Sequence, residues 1–383
     1  LWAGDGFGIT LRKVSYTHDR LKPADREDQM IRLRHLSMAA LAAALSLGGT
    51  AMAQTAPATG PEVDKAAINA PVVEPGYVVP RLKIGQPDLQ GVWSNASNTT
   101  LRRPGNMKNL VMSDAENDHA RETNPANIRQ RTDDNQKISD GLLDGKDLQS
   151  GRGYNAFWID PGTSYANVKG TWRTSWIVDP PNGQIPVKKG VSFNPYGPRL
   201  GTGYDHPEER NLNERCIILG TSGPPIGNYL YNNSLRIIQS PDHVVIESEM
   251  IHDARIIPLN AKHRPKALAP WMGDSIGWWE GDTLVVETVN MTRGGSSVQL
   301  SPSGKIIERF SRYNDKQIFY EFEVHDPETY SQSWKGQMSL NHLPAMYEYA
   351  CHEGNHGLLG ILEGGRVADK EGRNISEEGD REE

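Results

Sequence analysis

The chain has 383 residues, of which 37% are hydrophobic and 23% charged, with 38 glycines and 25 prolines. That length holds one large domain or two modest ones, and the balance excludes a wholly disordered or collagen-like chain. A net charge of -7 argues against a general nucleic-acid binder, which needs a basic face, and the polar average argues against a multi-span membrane protein.

Met30-Ile31-Arg32-Leu33-Arg34-His35 is a short basic start. An apolar run over 36–47 follows, then Ala51-Met52-Ala53 before the polar Gln54. This order reads as a secretory signal peptide over 30–53, too short for a membrane-spanning helix. Residues 1–29 contain no methionine and read as a reading-frame over-call. Residues 54–80 are rich in Ala, Pro and Val without a consistent period and read as a linker. A single β-rich domain is expected over 81–370, with an acidic tail over 371–383. The expected location is periplasmic or secreted, with no integral membrane span once the leader is cleaved. The oligomeric state stays open.

Gly91-Val92-Trp93 opens the first expected strand, and Ser113-Asp114-Ala115-Glu116 has capping-box spacing that predicts a polar helix. Strands 172–178 and 184–187 flank Asp179-Pro180-Pro181-Asn182-Gly183, which reads as a hairpin turn. Further strands are expected over 234–239, 243–250, 254–259, 275–280, 283–290, 305–313, 317–324 and 330–340. Turn signals recur about every 8–12 residues, the rhythm of an all-β sandwich or barrel. In 283–290 both faces are apolar, so cover on both sides is expected. In 317–324, Ile318, Tyr320, Phe322 and Val324 form one apolar face opposite Phe319, Glu321 and Glu323. A terminal helix is expected over 355–370, although Gly357, Gly360 and Gly364 weaken it.

Cys216 and Cys351 are the only cysteines. Export favours their pairing, which would restrict the unfolded chain by roughly 5 kcal/mol on the entropic account. Two separate buried thiols are the alternative.

Several segments together resemble a family of exported bacterial proteins without an established activity. They are Asp88-Leu89-Gln90-Gly91-Val92-Trp93, Arg173-Thr174-Ser175-Trp176-Ile177-Val178-Asp179-Pro180-Pro181-Asn182-Gly183 and Glu214-Arg215-Cys216. To these belong Glu249-Met250-Ile251-His252-Asp253-Ala254-Arg255-Ile256-Ile257, Trp271-Met272-Gly273-Asp274-Ser275, Trp279-Glu280-Gly281-Asp282-Thr283-Leu284-Val285-Val286-Glu287-Thr288 and Tyr349-Ala350-Cys351-His352-Glu353-Gly354-Asn355. The resemblance covers roughly 85–366 and carries no activity over. Gly91-Val92-Trp93 is also similar to the opening of lipocalin-like barrels. The expected fold is therefore mainly β: an antiparallel lipocalin-like barrel or related β-sandwich, with a polar N-terminal helix and a short C-terminal helix.

The densest polar cluster, His252-Asp253-Ala254-Arg255, lies between two expected strands, where a barrel mouth would expose it. His252 suits acid/base work, Asp253 its orientation, and Arg255 an oxygen anchor. A turn held by hydrogen bonds and an ion pair is the alternative. His352 and Glu353 suit a second proton-transfer pair. His352-Glu353-Gly354-Asn355-His356 also spells H-E-x-x-H, a zinc site if it lies on a helix, but its glycines oppose that helix. Trp271, Asp274, Trp278, Tyr231 and Asn232 are the expected ligand contacts, the tryptophans offering flat faces for a ring. They equally suit a core. His206 and His263 read as solvated loop residues. No G-x-S-x-G elbow occurs, and Gly201-Thr202-Gly203 lacks the strand and helix of a nucleotide site.

These residues point to an exported lyase or hydrolase acting on a small carbohydrate or phenolic compound, with no cofactor and no resident metal. One alternative is a lipocalin-like small-molecule binder. The other is a zinc hydrolase through His352, Glu353 and His356.

Overall fold

A computed structural model of the chain describes residues 60–124, 127–128, 162–191, 203–219, 222–268, 270–292 and 295–373. The expected leader, the upstream residues, the start of the linker and most of the acidic tail lie outside the described residues. Three α-helices are described: α1 (Pro61–Ile68), α2 (Asp114–Thr123) and α3 (His356–Glu371). The strands are β1 (Gly91–Ser94), β2 (Val111–Met112), β3 (Ala166–Val168), β4 (Thr171–Arg173), β5 (Ile177–Asp179), β6 (Ser234–Gln239), β7 (His243–Ser248), β8 (Ala254–Pro258), β9 (Asp274–Glu280), β10 (Thr283–Val289), β11 (Lys305–Asn314), β12 (Gln317–His325) and β13 (Trp334–Leu343).

The protein is mainly antiparallel β. Nine strands follow the order β8-β7-β6-β1-β13-β12-β11-β10-β9, and β5 adds to β13 as the tenth. A second sheet runs β2-β4-β3. Consecutive strands are joined by short turns on one side of the large sheet: Ser240-Pro241-Asp242, Gly281-Asp282 and Asp315-Lys316. On the opposite side the links are longer, over 249–253, 290–304 and 326–333, and the segment 222–233 enters β6 there. Pairings Ser94↔Ser234, Leu235↔Ser248 and Glu247↔Ala254 bring the exit of β1, the entry of β6 and the β7–β8 link side by side. Long links beside a rigid sheet are where binding groups concentrate.

One face of the large sheet makes the main core. Trp93, Leu235, Ile246, Ile257, Leu284, Val286, Phe310, Tyr320, Phe322 and Trp334 all belong to it, each large apolar side chain contributing about 1.5–3 kcal/mol. Register explains one glycine here. Gly336 pairs with Phe322, and a Cβ at Gly336 would come 2.3 Å from the Phe322 ring. The two-sided apolar strand is as expected, since Leu284, Val285 and Val286 are all fully buried. The other apolar strand departs from one-sidedness at Phe319. It packs with Ala166 and Val168 of β3, and the Lys169 ammonium sits 4.3 Å from its ring centroid.

The capping box at Ser113 and Glu116 is formed in both directions and starts α2. The C-terminal helix also forms despite its glycines. Leu362, Gly365 and Ala368 are its buried stripe, and Gly365 lets Tyr204 approach, where a Cβ would lie 2.4 Å from the Tyr204 Cβ.

Two expectations are corrected. Residues 184–187 form no strand, because β5 pairs with β13 instead of folding back in a hairpin. The expected linker contains α1, which has no apolar stripe to read and is held at its polar ends. The Asp64 carboxylate accepts the backbone N–H groups of Leu110 and Val111, both at 2.8 Å. At the other end Lys169 Nζ donates to the carbonyls of Ile68 and Ala70 at 2.8 Å, and Arg173 Nη2 to that of Ala67 at 2.9 Å. Cations there also suit the negative end of the helix dipole. Burial, with the neighbouring Arg173 charge, lowers the Lys169 pKa to about 8.

Candidate functional site

The β7–β8 link is built on unusual backbone. Ile251 and His252 are consecutive non-glycine residues with positive φ, 63° and 45°. Such conformations cost on the order of 1–3 kcal/mol each and cluster at functional sites. Here they bury Ile251 and turn His252 out to solvent. His252 Nδ1 lies 3.1 Å from the Tyr349 carbonyl oxygen. A carbonyl only accepts, so Nδ1 carries the proton and, in the neutral ring, Nε2 holds the free lone pair.

The Cys216–Cys351 disulfide is formed, with Cα atoms 5.8 Å apart and its ends 135 positions apart in sequence. It anchors the Cys351 turn, and His352 in that turn lies with its ring centroid 6.3 Å from that of His252. Two segments a hundred residues apart in sequence are thus brought together as an imidazole pair. Glu353 is exposed beside it.

Asp253 and Arg255 take other roles. Asp253 Oδ1 accepts from the Ala254 N–H at 2.8 Å, not from His252, and burial raises its carboxyl pKa. Arg255 does not reach the link surface. It is 4% exposed, in the core, where it grips fully buried Glu308 through Nη1 at 2.6 Å and Nη2 at 3.1 Å. The Tyr320 hydroxyl donates to Glu308 Oε1 at 2.7 Å and accepts from the Ile226 N–H at 2.9 Å. Burial opposes the guanidinium charge, but the Glu308 carboxylate outweighs it and the Arg255 pKa is raised. An anchor for substrate oxygen is therefore replaced by an internal ion pair that fixes the segment holding Ile226.

That segment, with β1, β6 and β7, lines a small recess open to solvent, with a cavity volume of ≈ 20 Å3. Asn95, Ser222, Ile226, Leu235, Ile246 and Met250 are its buried lining, and Tyr229, Asn232, Asn233, Ser234 and Ser248 are half-buried. Met250 lies two residues before His252. Tyr231 adjoins it, its ring 5.4 Å from that of Tyr229 in an edge-on arrangement. Burial, then the nearby Tyr349 and Tyr229 hydroxyls, raise the Tyr231 pKa and keep it a hydrogen-bond donor. Of the expected ligand contacts, Tyr231 and Asn232 are therefore at this place.

Trp271, Asp274 and Trp278 are elsewhere. Trp278 pairs with Val285, on the face of the sheet opposite Leu284 and Val286, and donates to Glu280 Oε1 at 2.9 Å. Trp271 is exposed. Asp274 has both oxygens occupied: Oδ1 by Arg264 Nε at 2.6 Å, and Oδ2 by the Arg264 N–H at 2.8 Å and His263 Nδ1 at 2.9 Å. His263 Nε2 reaches Glu287 Oε1 at 3.1 Å, and Lys305 Nζ donates to Glu287 Oε2 at 3.0 Å. His263 is thus a clamp across β9 and β10 rather than a solvated loop residue.

The H-E-x-x-H reading does not survive the local structure. The helix begins at His356, capped by Asn355, and 351–354 form a turn, so His352 and His356 do not share a helical face. Among the described residues no group of three His, Cys, Asp or Glu side chains is placed to hold a metal ion. Among the described residues no helix is long and apolar enough to cross a membrane.

Sequence reasoning missed Asn95, Tyr229, Ser248 and Tyr349. Asn95 follows a recognisable strand directly, and Tyr349 precedes the cysteine by two, so both carried a positional signal. Ser248 carried none. No known protein family and no curated protein matches the chain.

Proposed function

We propose that the protein is an exported acid–base enzyme, a lyase or hydrolase, acting without an organic cofactor on a small carbohydrate or phenolic compound. The observation that carries this reading is the imidazole pair held beside a recess by strained backbone and a disulfide. His252, with Nδ1–H committed to a carbonyl, takes a proton at Nε2. His352 in its protonated form delivers one to the departing oxygen. In hydrolysis the proton comes from attacking water, and in elimination from a carbon next to the breaking bond, so either reaction balances with no redox partner. The disulfide suits an oxidising compartment.

The test is turnover of an aryl glycoside and of methyl ferulate, followed by mass spectrometry. His252→Ala and His352→Ala should each lower kcat about 10²–10⁴-fold with circular dichroism unchanged. Full turnover in both variants sinks the mechanism.

A second reading has its own support. The sheet's terminal strands approach each other, with an isolated bridge Leu259↔Gly277 and an Asn260 N–H to Gly277 carbonyl bond of 2.7 Å. A lipocalin-like barrel that only carries its ligand would have such a closure. It predicts saturable binding with the ligand recovered unchanged.

A further inference from the structure

β12 and β13 carry a second arrangement of reactive groups, separate from the imidazole pair. Val324 and Trp334 pair across these strands and belong to the core. Side chains alternate along a strand, so Glu323 and His325 beside Val324, and Ser333 and Lys335 beside Trp334, project from the opposite face. The ladder sets Glu323 against Lys335, and one step past the core pair His325 meets Ser333. Ser333 Oγ lies 3.0 Å from His325 Nδ1, and His325 Nε2 lies 3.2 Å from Glu323 Oε1. Lys335 Nζ reaches the other Glu323 oxygen at 3.1 Å.

These contacts fix where the protons lie. A carboxylate only accepts, so Nε2 carries the imidazole hydrogen toward Glu323. In the neutral ring the lone pair is then at Nδ1, and the Ser333 hydroxyl donates to it. A serine held to a base, with the base held in one tautomer by a carboxylate, is the relation that makes a hydroxyl nucleophilic. It is recognised by geometry and not by chain order. Ser333 is exposed and the His325 side chain is 31% exposed, so an acyl group reaches the oxygen directly. Ser331 supplies a contrast in the same segment. It is exposed too, but its Oγ donates to the Pro186 carbonyl at 3.1 Å and not to a base.

We propose that Ser333, His325 and Glu323 form a second, nucleophilic site that cleaves small activated carboxylic esters. Ser333 Oγ bonds to the acyl carbon as its proton passes to His325 Nδ1. The bond from that carbon to the alcohol oxygen breaks, and the proton leaves with the alcohol. Water, giving its proton to the same nitrogen, then releases the acid and the proton returns to the serine. Glu323 positions the ring and offsets its charge while it is protonated. The Lys335 ammonium, two residues along the same face, supplies positive charge for the developing oxyanion. An exposed serine on a sheet face selects by reactivity rather than by shape, which sets the substrate class. This site goes beyond the acid–base reading above and does not rest on it.

The test treats the full chain with diisopropyl fluorophosphate and maps the labelled residues by tandem mass spectrometry. Ser333 should take the label at least about tenfold faster than Ser331 in the same wild-type chain, a comparison that needs no variant. His325→Ala should bring Ser333 down to the Ser331 rate. Glu323→Gln should slow labelling about tenfold, and Glu323→Asp should restore part of it, as a positioning carboxylate requires. The p-nitrophenyl acetate hydrolysis that the label blocks should vanish in Ser333→Ala and in His325→Ala. Equal labelling of Ser333 and Ser331 overturns the proposal, as does wild-type labelling of Ser333 in His325→Ala. Label-sensitive hydrolysis that persists in Ser333→Ala overturns it as well.

Discussion

Replacing Glu308 with Gln should be among the most damaging single changes in the core. The side chain is fully buried and receives two bonds from Arg255, at 2.6 and 3.1 Å, and one from Tyr320 at 2.7 Å. Glu308→Gln preserves shape but leaves the guanidinium charged, desolvated and unmatched, a loss of about 3–5 kcal/mol. For a folded unit of this size, about 2 °C per kcal/mol gives a fall of about 6–10 °C in Tm. Removing both charges together, in Arg255→Met/Glu308→Leu, abolishes the unmatched charge. The remaining cost is the Tyr320 hydroxyl without its acceptor, about 1–3 kcal/mol, so the double variant should melt above the Glu308→Gln single. Calorimetry on the three proteins decides. If the double variant melts no higher than Glu308→Gln, the two side chains do not act as a coupled pair and the reasoning fails.

Acid should release the clamp on the opposite face. Burial alone would raise the Asp274 and Glu287 pKa values, but Arg264 and His263 on the first, and Lys305 and His263 on the second, outweigh it and hold both low. Carboxyls with depressed folded values give stability that is fully present above about pH 4 and is lost as pH falls through those values. Asp274→Asn should flatten the fall of urea stability below pH 4, and an unchanged slope refutes the coupling. Serine at both Cys216 and Cys351 opens a loop of 135 residues, with an expected loss of about 2–5 kcal/mol in urea unfolding. A change under about 1 kcal/mol would show that the unfolded chain is restricted some other way.

The large sheet was legible because its strands satisfy two local rules at once, alternation and turn chemistry. Leu284 and Val286, or Tyr320 and Phe322, declare their faces without knowledge of partners. The 172–187 stretch failed for the same reason, since only the remote β13 shows which of its residues can pair. α1 was invisible because side chains remote in sequence, Lys169 and Arg173, hold it, not a stripe of its own. At the site, His252 and His352 were readable as chemistry-bearing types, and their meeting rests on the contact of His252 with the Tyr349 carbonyl, which no local pattern shows. Arg255 misled because residue type shows charge but not the buried Glu308 awaiting it. Asp274 and Trp278 misled because the period of two assigns alternate faces without saying which of them faces the core.

The most direct test of the acid–base reading is kcat toward the better of the aryl glycoside and methyl ferulate for the wild type, His252→Ala, His352→Ala and the double variant. Residues that act as a unit give strongly non-additive losses. The account predicts that each single variant loses nearly as much as the double. A double variant turning over substrate at the wild-type rate would contradict it.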